Sequence, residues 1–468
     1  MNNSTISDPR HIENGWEIPS ENYVDQPYIV QTDDGAWLCV MTTGRRKEGE
    51  AGQHIITNRS LDQGRTWSTP VDVEPANGPE SSYAVLLKHP ETPRVFAFYN
   101  HNTDRIKTVK IEDDSDPRGH LTRVDSLGYF VFKFSDDHGQ TWSEKRFTIP
   151  IRETEIDRTN IYGGKIRFFW NVGKAFVHNG AAYVPLIKVG GFGHGFFLRN
   201  EGVLLKSDDL LTVENPADAS WETLPDGEIG LRAPEGGGPI AGEQSYSVLS
   251  DGSFFAVYRT IDGHPACTYS RDEGHHWEPP QYMTYADGRR IKHPRAANFA
   301  WKCSNGKFLY WYHNHGGKWY DDRNPVWLLG GEEADSPNGR IIQWSQPEIV
   351  LYTDDPKERL SYPDLIETEN GFYLTETQKT IARVHAVPQE ILDGLWNPQP
   401  PDADSFLFSV NAPLPENIRM PQLPLFYDPG RSDPLTRTGF TIELTARLVG
   451  DAVLLNNRDR QDRGFVLD

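Results

Sequence analysis

A chain of 468 residues with a formal charge of −20 can bury a large core or hold several domains. Its charge repels polyanions at long range and argues against nucleic acid or an anionic membrane surface as a general partner. Aromatic residues make up 12% of it, with 41 Gly and 34 Pro, which suits many short strands and tight turns and does not suit long helices.

The opening Met1-Asn-Asn-Ser-Thr-Ile-Ser-Asp has neither the basic nor the apolar part of a signal peptide. No run of about 18 apolar residues occurs, so a soluble chain with no membrane partner and no export signal is expected. Cys39, Cys267 and Cys303 each sit in or beside an apolar strand-like run, which argues against a disulfide framework and predicts free core thiols.

From Tyr28 onwards one unit recurs: an apolar strand, an Asx-Gly turn and a second apolar or aromatic strand. Its turns fall at Asp34-Gly35, Asn179-Gly180, Asp251-Gly252, Asn305-Gly306 and Asn370-Gly371. A further copy from Tyr83 to Asn100 turns through Glu91-Thr-Pro. Six hairpins imply six blades, an all-β propeller of four-stranded antiparallel blades over residues 25–397.

Between hairpins runs Ser-x-Asp-x-Gly-x-Thr-Trp, complete at Ser60 to Trp67 and Ser135 to Trp142, and nearly complete at Ser270 to Trp277. A worn copy begins at Ser207-Asp-Asp209 and reaches its tryptophan at Trp221. Ser and Asp side chains in such a turn bond nearby backbone N–H groups, Gly accepts positive φ, and Trp packs between neighbouring sheets. Trp16-Glu-Ile-Pro resembles the strands that follow these turns, so the N-terminal segment 1–24 is expected to close the last blade. The one helix candidate is Pro388 to Leu395. Residues 398–434 form a Pro-rich linker or strap, and 435–468 carry two strand-like runs resembling an incomplete start of a concanavalin-like β-sandwich.

These motifs, in register with the hairpins, resemble the Asp-box, or BNR-repeat, sialidase (neuraminidase) superfamily over roughly residues 25–397. The resemblance implies a carbohydrate-metabolising glycosidase whose pocket collects first-strand starts and second-strand ends on one face. Those positions hold Asp25 and Gln26, His101, Asn171 and Lys174, Glu243 and Gln244, Arg259 with His264 just beyond it, His293 and Arg295, His313 and His315, Tyr362 and Asp364, and Gln378 with Lys379. Gly242-Glu243 leading to Arg259 looks like the family segment in which a glutamate starts one strand and an arginine ends the next. Ser361-Tyr362-Pro looks like the segment carrying a nucleophilic tyrosine. By resemblance Tyr362 is the nucleophile, Glu243 its base, and Arg259 and Arg295 hold a substrate carboxylate. The proton donor is sought in the loop Arg45 to Glu50, at Glu48 or Glu50, against the alternative of a solvated charged loop.

One departure bears on specificity. The family opens its first blade with Arg-Ile-Pro, whereas this chain has Asp25-Gln26-Pro27, a carboxylate where a carboxylate would be bound. The leading expectation is an exo-acting hydrolase of an acidic carbohydrate. Alternatives are a uronate-polysaccharide lyase using His and Tyr, supported by the many histidines, and a non-catalytic carbohydrate-binding propeller. His313 and His315 share a strand face, but without a third ligand hydrogen bonding is preferred to a metal, and no motif implies a cofactor.

Overall fold

All six expected hairpins form in the computed structural model, and each extends to an antiparallel blade of four or five strands. The structure describes residues 8–397, apart from 114–115, 195 and 356, together with 455–456 and 466–467. The linker and sandwich expectations for 398–468 otherwise lie outside the described residues. Blade one is Tyr23–Gln31, Trp37–Gly44, His54–Ser60 and Val71–Glu74. In blade three the inner strand is split into Phe168–Trp170 and Phe176–His178, both paired with Ala181–Gly193. In blade five Val326–Ser336 pairs with Phe308–Tyr312, Gly339–Trp344 and Glu348–Leu351, so its outer edge is shared by two strands. Trp16–Ile18 pairs with Ala382–Ala386, Trp16 opposite Val384, so the N-terminal strand completes blade six and covers its edge. The predicted helix forms as Gln389–Trp396.

The Ser-x-Asp-x-Gly turns bond as their composition requires. Ser60 Oγ accepts Gly64 N–H at 2.8 Å and Asp62 Oδ1 accepts Thr66 N–H at 2.8 Å. The same two bonds recur at Ser135 and Asp137, and at Ser270 and Asp272. In the worn copy Ser220 stands in for the threonine, eleven residues after Asp209, and its N–H still reaches Asp209 Oδ1 at 2.8 Å. The tryptophans join blades: Trp142 Nε1 donates to Thr57 Oγ1 of blade one at 3.1 Å, and Trp221 packs edge-on against Phe98 of blade two at 6.0 Å. All three cysteines are free and buried.

Gly139 shows how tightly a turn meets the next blade. Its φ is +80°, and a Cβ there would lie 2.4 Å from Leu38 Cδ2 in blade one, whereas Gly35, at φ +83°, faces open space. Gly35→Ala is expected to cost about 1 kcal/mol, from backbone strain alone. Gly139→Ala adds an overpacked core contact and is expected to cost about 2–4 kcal/mol. The difference between their urea midpoints measures the blade–blade contact, and equal midpoints would refute it.

Candidate active site

A single backbone device aims side chains at the propeller axis. In blades one, two, four and six the first strand carries one extra residue near its start, between Asp25 and Tyr28, Ser82 and Val85, Gly242 and Ser245, and Ser361 and Leu365. The residue just past the last regular pair has a left-handed backbone: Gln26 (φ 55°), Tyr83 (60°), Glu243 (61°) and Tyr362 (48°). Such a bulge turns its side chain out of the pleat, and a non-glycine residue held there costs on the order of 1–3 kcal/mol. Strain of this kind persists where the surroundings over-determine it, and here it coincides with the polar centre of the fold.

At that centre Tyr362 Oη donates to Glu243 Oε1 at 3.1 Å, and Arg259 Nη1 lies 3.0 Å from the same oxygen. All three side chains are buried. Burial and the Glu243 charge push the Tyr362 phenol above its ordinary range, so removal of its proton calls for an adjacent base. Two residues after Tyr362, Asp364 of blade six pairs with Lys174 of blade three at 2.7 Å and accepts Ile29 N–H of blade one at 2.7 Å. Gln26 Nε2 donates to Asn171 O at 2.8 Å, so the axis is pinned across blades.

Lys379 forms the other half of the site. Held at φ 73° in the turn after the second strand of blade six, it sets Nζ 4.3 Å from the centre of the Tyr362 ring. It pairs with fully buried Asp25 and, at 3.3 Å, with Glu48. Burial raises Asp25 to about 6 against the pull of Lys379, while Lys379 and Arg123 overcome burial and hold Glu48 at about 2. Burial opposes the charge on Lys379, but Asp25 and Glu48 outweigh it and its pKa is raised. The apparent repulsion at Asp25 is thus answered by an ammonium from blade six. Of the two loop glutamates, Glu48 enters the site, whereas Glu50 N–H closes the turn on Lys47 O. The Glu50 side chain makes no hydrogen bond or ion pair with these groups among the described residues.

The histidines are largely occupied elsewhere. His101 bonds Ser81 Oγ through Nδ1 at 2.9 Å and packs edge-on against Tyr99 in blade two. His264 Nδ1 bonds Ile291 O at 2.7 Å. His293 Nε2 bonds Ala296 O at 2.8 Å, and its Nδ1 accepts His313 N–H. His313 Nδ1 and His315 Nε2 bond the carbonyls of Pro325 and Asp322. Gln378 helps form the turn that presents Lys379, its N–H bonding Ile381 O at 3.0 Å. Among the described residues no three His, Cys, Asp or Glu side chains are grouped to hold a metal.

Burial lowers His101 to about 4 and His293 to about 3, so both are neutral when folded. Below pH 6.5 the unfolded chain takes up protons that these folded imidazoles refuse. Stability is therefore full near neutrality and falls as pH drops from 6.5 towards 4, by up to roughly 1.4 kcal/mol per pH unit for each group. The melting temperature of His101→Gln is expected to fall less steeply between pH 7 and 5 than that of the wild type; parallel curves would count against a neutral buried His101.

Several site residues carried no sequence signal. Arg123 and Asp125 follow the inserted hairpin of Thr108–Lys110 and His120–Thr122 in blade two, and Tyr83 Oη donates to Asp125 at 2.6 Å. Tyr320 and Arg323 lie in the loop between the second and third strands of blade five, with the Tyr320 ring 4.7 Å from the Arg295 guanidinium carbon and 5.9 Å from that of Arg259.

The class these features define is a six-bladed propeller of the sialidase-like fold. It is similar to the leech intramolecular trans-sialidase solved with 2,7-anhydro-Neu5Ac, at 14% identity over 82% of this chain and 70% of that one, with a TM-score of 0.54. It is also similar to the intramolecular trans-sialidase from Ruminococcus gnavus (16% identity, 80% and 96% covered, TM-score 0.52). A protein of unknown function from Dyadobacter fermentans matches equally well (14% identity, 80% and 98% covered, TM-score 0.55). At such identities the likeness is one of fold. No protein-family model matches the chain, and no curated protein matches its sequence.

Proposed function

We propose that this protein is an exo-acting, sialidase-like glycoside hydrolase of an acidic carbohydrate. The observation that supports this reading is the buried Tyr362–Glu243–Arg259 contact, a phenol with a carboxylate in hydrogen-bond reach and a guanidinium fixing that carboxylate. A tyrosine is a poor nucleophile at a pKa of about 10 or above, and a positioned base removes that obstacle. In the first step Glu243 takes the Tyr362 proton as Tyr362 Oη bonds the anomeric carbon. The glycosidic C–O bond breaks, and the leaving alcohol receives a proton from the Asp25 carboxyl, which burial raises to about 6 and which water re-protonates when the second step returns it. Water then reverses the sequence and frees a sugar of retained configuration. What favours the hydrolase over a lyase is the direct Tyr362–Glu243 bond, which pairs the phenol with a carboxylate base and not with an imidazole.

The test is incubation of the wild type with 4-methylumbelliferyl glycosides, sialic acid and hexuronic acids included, and with uronate polysaccharides, following fluorescence and ultraviolet absorbance. Fluorescent product is the expected result. Absorbance from an unsaturated product without fluorescence would replace this reading with the lyase, and binding without either signal would replace it with a carbohydrate-binding propeller.

A further inference from the structure

A second cavity opens on the same face of the propeller, away from the axis. It holds about 430 Å³ between the short helix Glu155–Arg158, the third strand of blade three at residues 199–201, and the segment 232–239 that leads into blade four. Such a volume suits a small ligand. Hydrogen bonds fix its walls in advance. Fully buried Lys188 donates to Thr154 Oγ1 at 2.9 Å and pairs with Asp157, which holds the helix. Tyr258 Oη donates to Arg232 O at 2.8 Å and Gly238 N–H to Asp262 Oδ1 at 2.9 Å, which tie the segment to blade four. A Cβ on Gly190 would lie 2.4 Å from Arg199 Nε, so this glycine of the neighbouring strand makes the room that the guanidinium occupies.

The lining argues against an anion. Glu155, Glu201 and Glu235 outnumber Arg199 and Arg232, and both guanidinium groups are already paired, Arg232 with Glu201 at 2.5 Å and Arg199 with Glu112 at 2.6 Å. What is left over is neutral hydrogen-bonding capacity. Arg232 directs Nε and Nη2 to Glu201 and keeps Nη1, and the exposed carboxylates of Glu155 and Glu235 accept. Ile156, Ala233 and Pro234 add apolar surface beside them. Donors, acceptors and an apolar wall together match a sugar ring, whose hydroxyls donate and accept and whose C–H edges are apolar. The cavity also lies near the axial pocket. Arg295, which shares the Tyr320 ring with Arg259, donates to Phe197 O at 3.0 Å. Along the strand from Phe197, Arg199 and Glu201 follow after about 7 and 13 Å at the rise of a β-strand. We propose that this cavity is a second carbohydrate site, which holds a neutral hexose unit of a glycan whose acidic end enters the axial pocket.

This inference rests on the carbohydrate reading above, but the site can be tested apart from it. Ligand-observed NMR on the full chain should detect binding of a neutral disaccharide from the set lactose, cellobiose and maltose. Crystals soaked in that disaccharide should show a sugar ring beside Arg232, and crystals soaked in spermidine, the probe for a cation, should leave the cavity without it. Ala233→Trp, which fills the cavity and keeps every charged pair, should weaken the disaccharide at least about tenfold. Should that variant fail to fold, Glu155→Trp fills the same space from the opposite wall and decides in its place. Absence of binding by all three disaccharides, affinity unchanged in the tryptophan variant, a sugar ring only in the axial pocket, or spermidine in the cavity overturns the inference. A disaccharide held in the cavity of a protein that turns over none of the glycosides leaves the site standing and counts against the hydrolase reading. Turnover of the glycosides with no disaccharide bound overturns the site alone.

Discussion

Tyr362→Phe is expected to remain folded and to lose at least about 10³-fold in turnover. The change removes one oxygen and keeps the ring that Lys379 covers at 4.3 Å. Its structural cost is one hydrogen bond to a charged acceptor, about 1.5–3 kcal/mol, because Arg259 still holds Glu243 at 3.0 Å. Catalysis is affected far more, since no other hydroxyl among the described residues bonds Glu243. Single-turnover kinetics with the best glycoside of the panel measures the loss, and mass spectrometry of acid-quenched wild type should find the sugar on the Tyr362 peptide. Turnover within tenfold of the wild type would remove Tyr362 as nucleophile.

Lys379→Met is expected to show the largest stability effect in the site, roughly 3–5 kcal/mol at neutral pH, because fully buried Asp25 loses its counterion. The sign of the pH dependence follows from Asp25. Its folded pKa, already raised to about 6 by burial, climbs further without the ammonium. A raised acid stabilises the folded state fully only below its unfolded pKa near ~3.9 and loses that contribution as pH rises through the folded value. The deficit of Lys379→Met against the wild type should therefore be larger at pH 8 than at pH 5. Adding Asp25→Asn removes the stranded charge and should recover most of the loss and flatten the pH dependence. Urea unfolding of the four proteins at both pH values completes the cycle, and additive effects of the two substitutions would refute the coupling.

The architecture was legible because its signals are local and repeated. Each Asx-Gly turn and each Ser-x-Asp-x-Gly turn satisfies its own backbone within a few residues, so composition at fixed spacing predicts the conformation wherever the unit recurs. The worn copy ending at Trp221 was readable for the same reason, since Ser220 supplies the missing bonds across the insertion. Tyr362, Glu243, Arg259 and Arg295 could be picked out because they occupy defined strand ends within that repeat. Arg123, Asp125, Tyr320 and Arg323 lie in an insertion and a long loop, where no period applies. For the histidines the strand-end position does not show which ring nitrogen is bonded: His264 and His313 each bond a carbonyl through Nδ1, and His313 Nε2 is buried without a partner.

The sequence by itself determined the all-β class, the number of blades, the turn chemistry and the N-terminal strand that completes blade six, because each depends on contacts between chain neighbours or on a repeated spacing. Ring closure alone brings Lys379 to Asp25 across 354 positions of chain, sets Glu48 beside the same ammonium, and leaves Arg295 and Arg323 without a carboxylate partner among the described residues. The physical reason is that charge balance in a buried pocket is settled by which groups lie within a few ångströms after ring closure, a distance that separation along the chain does not encode.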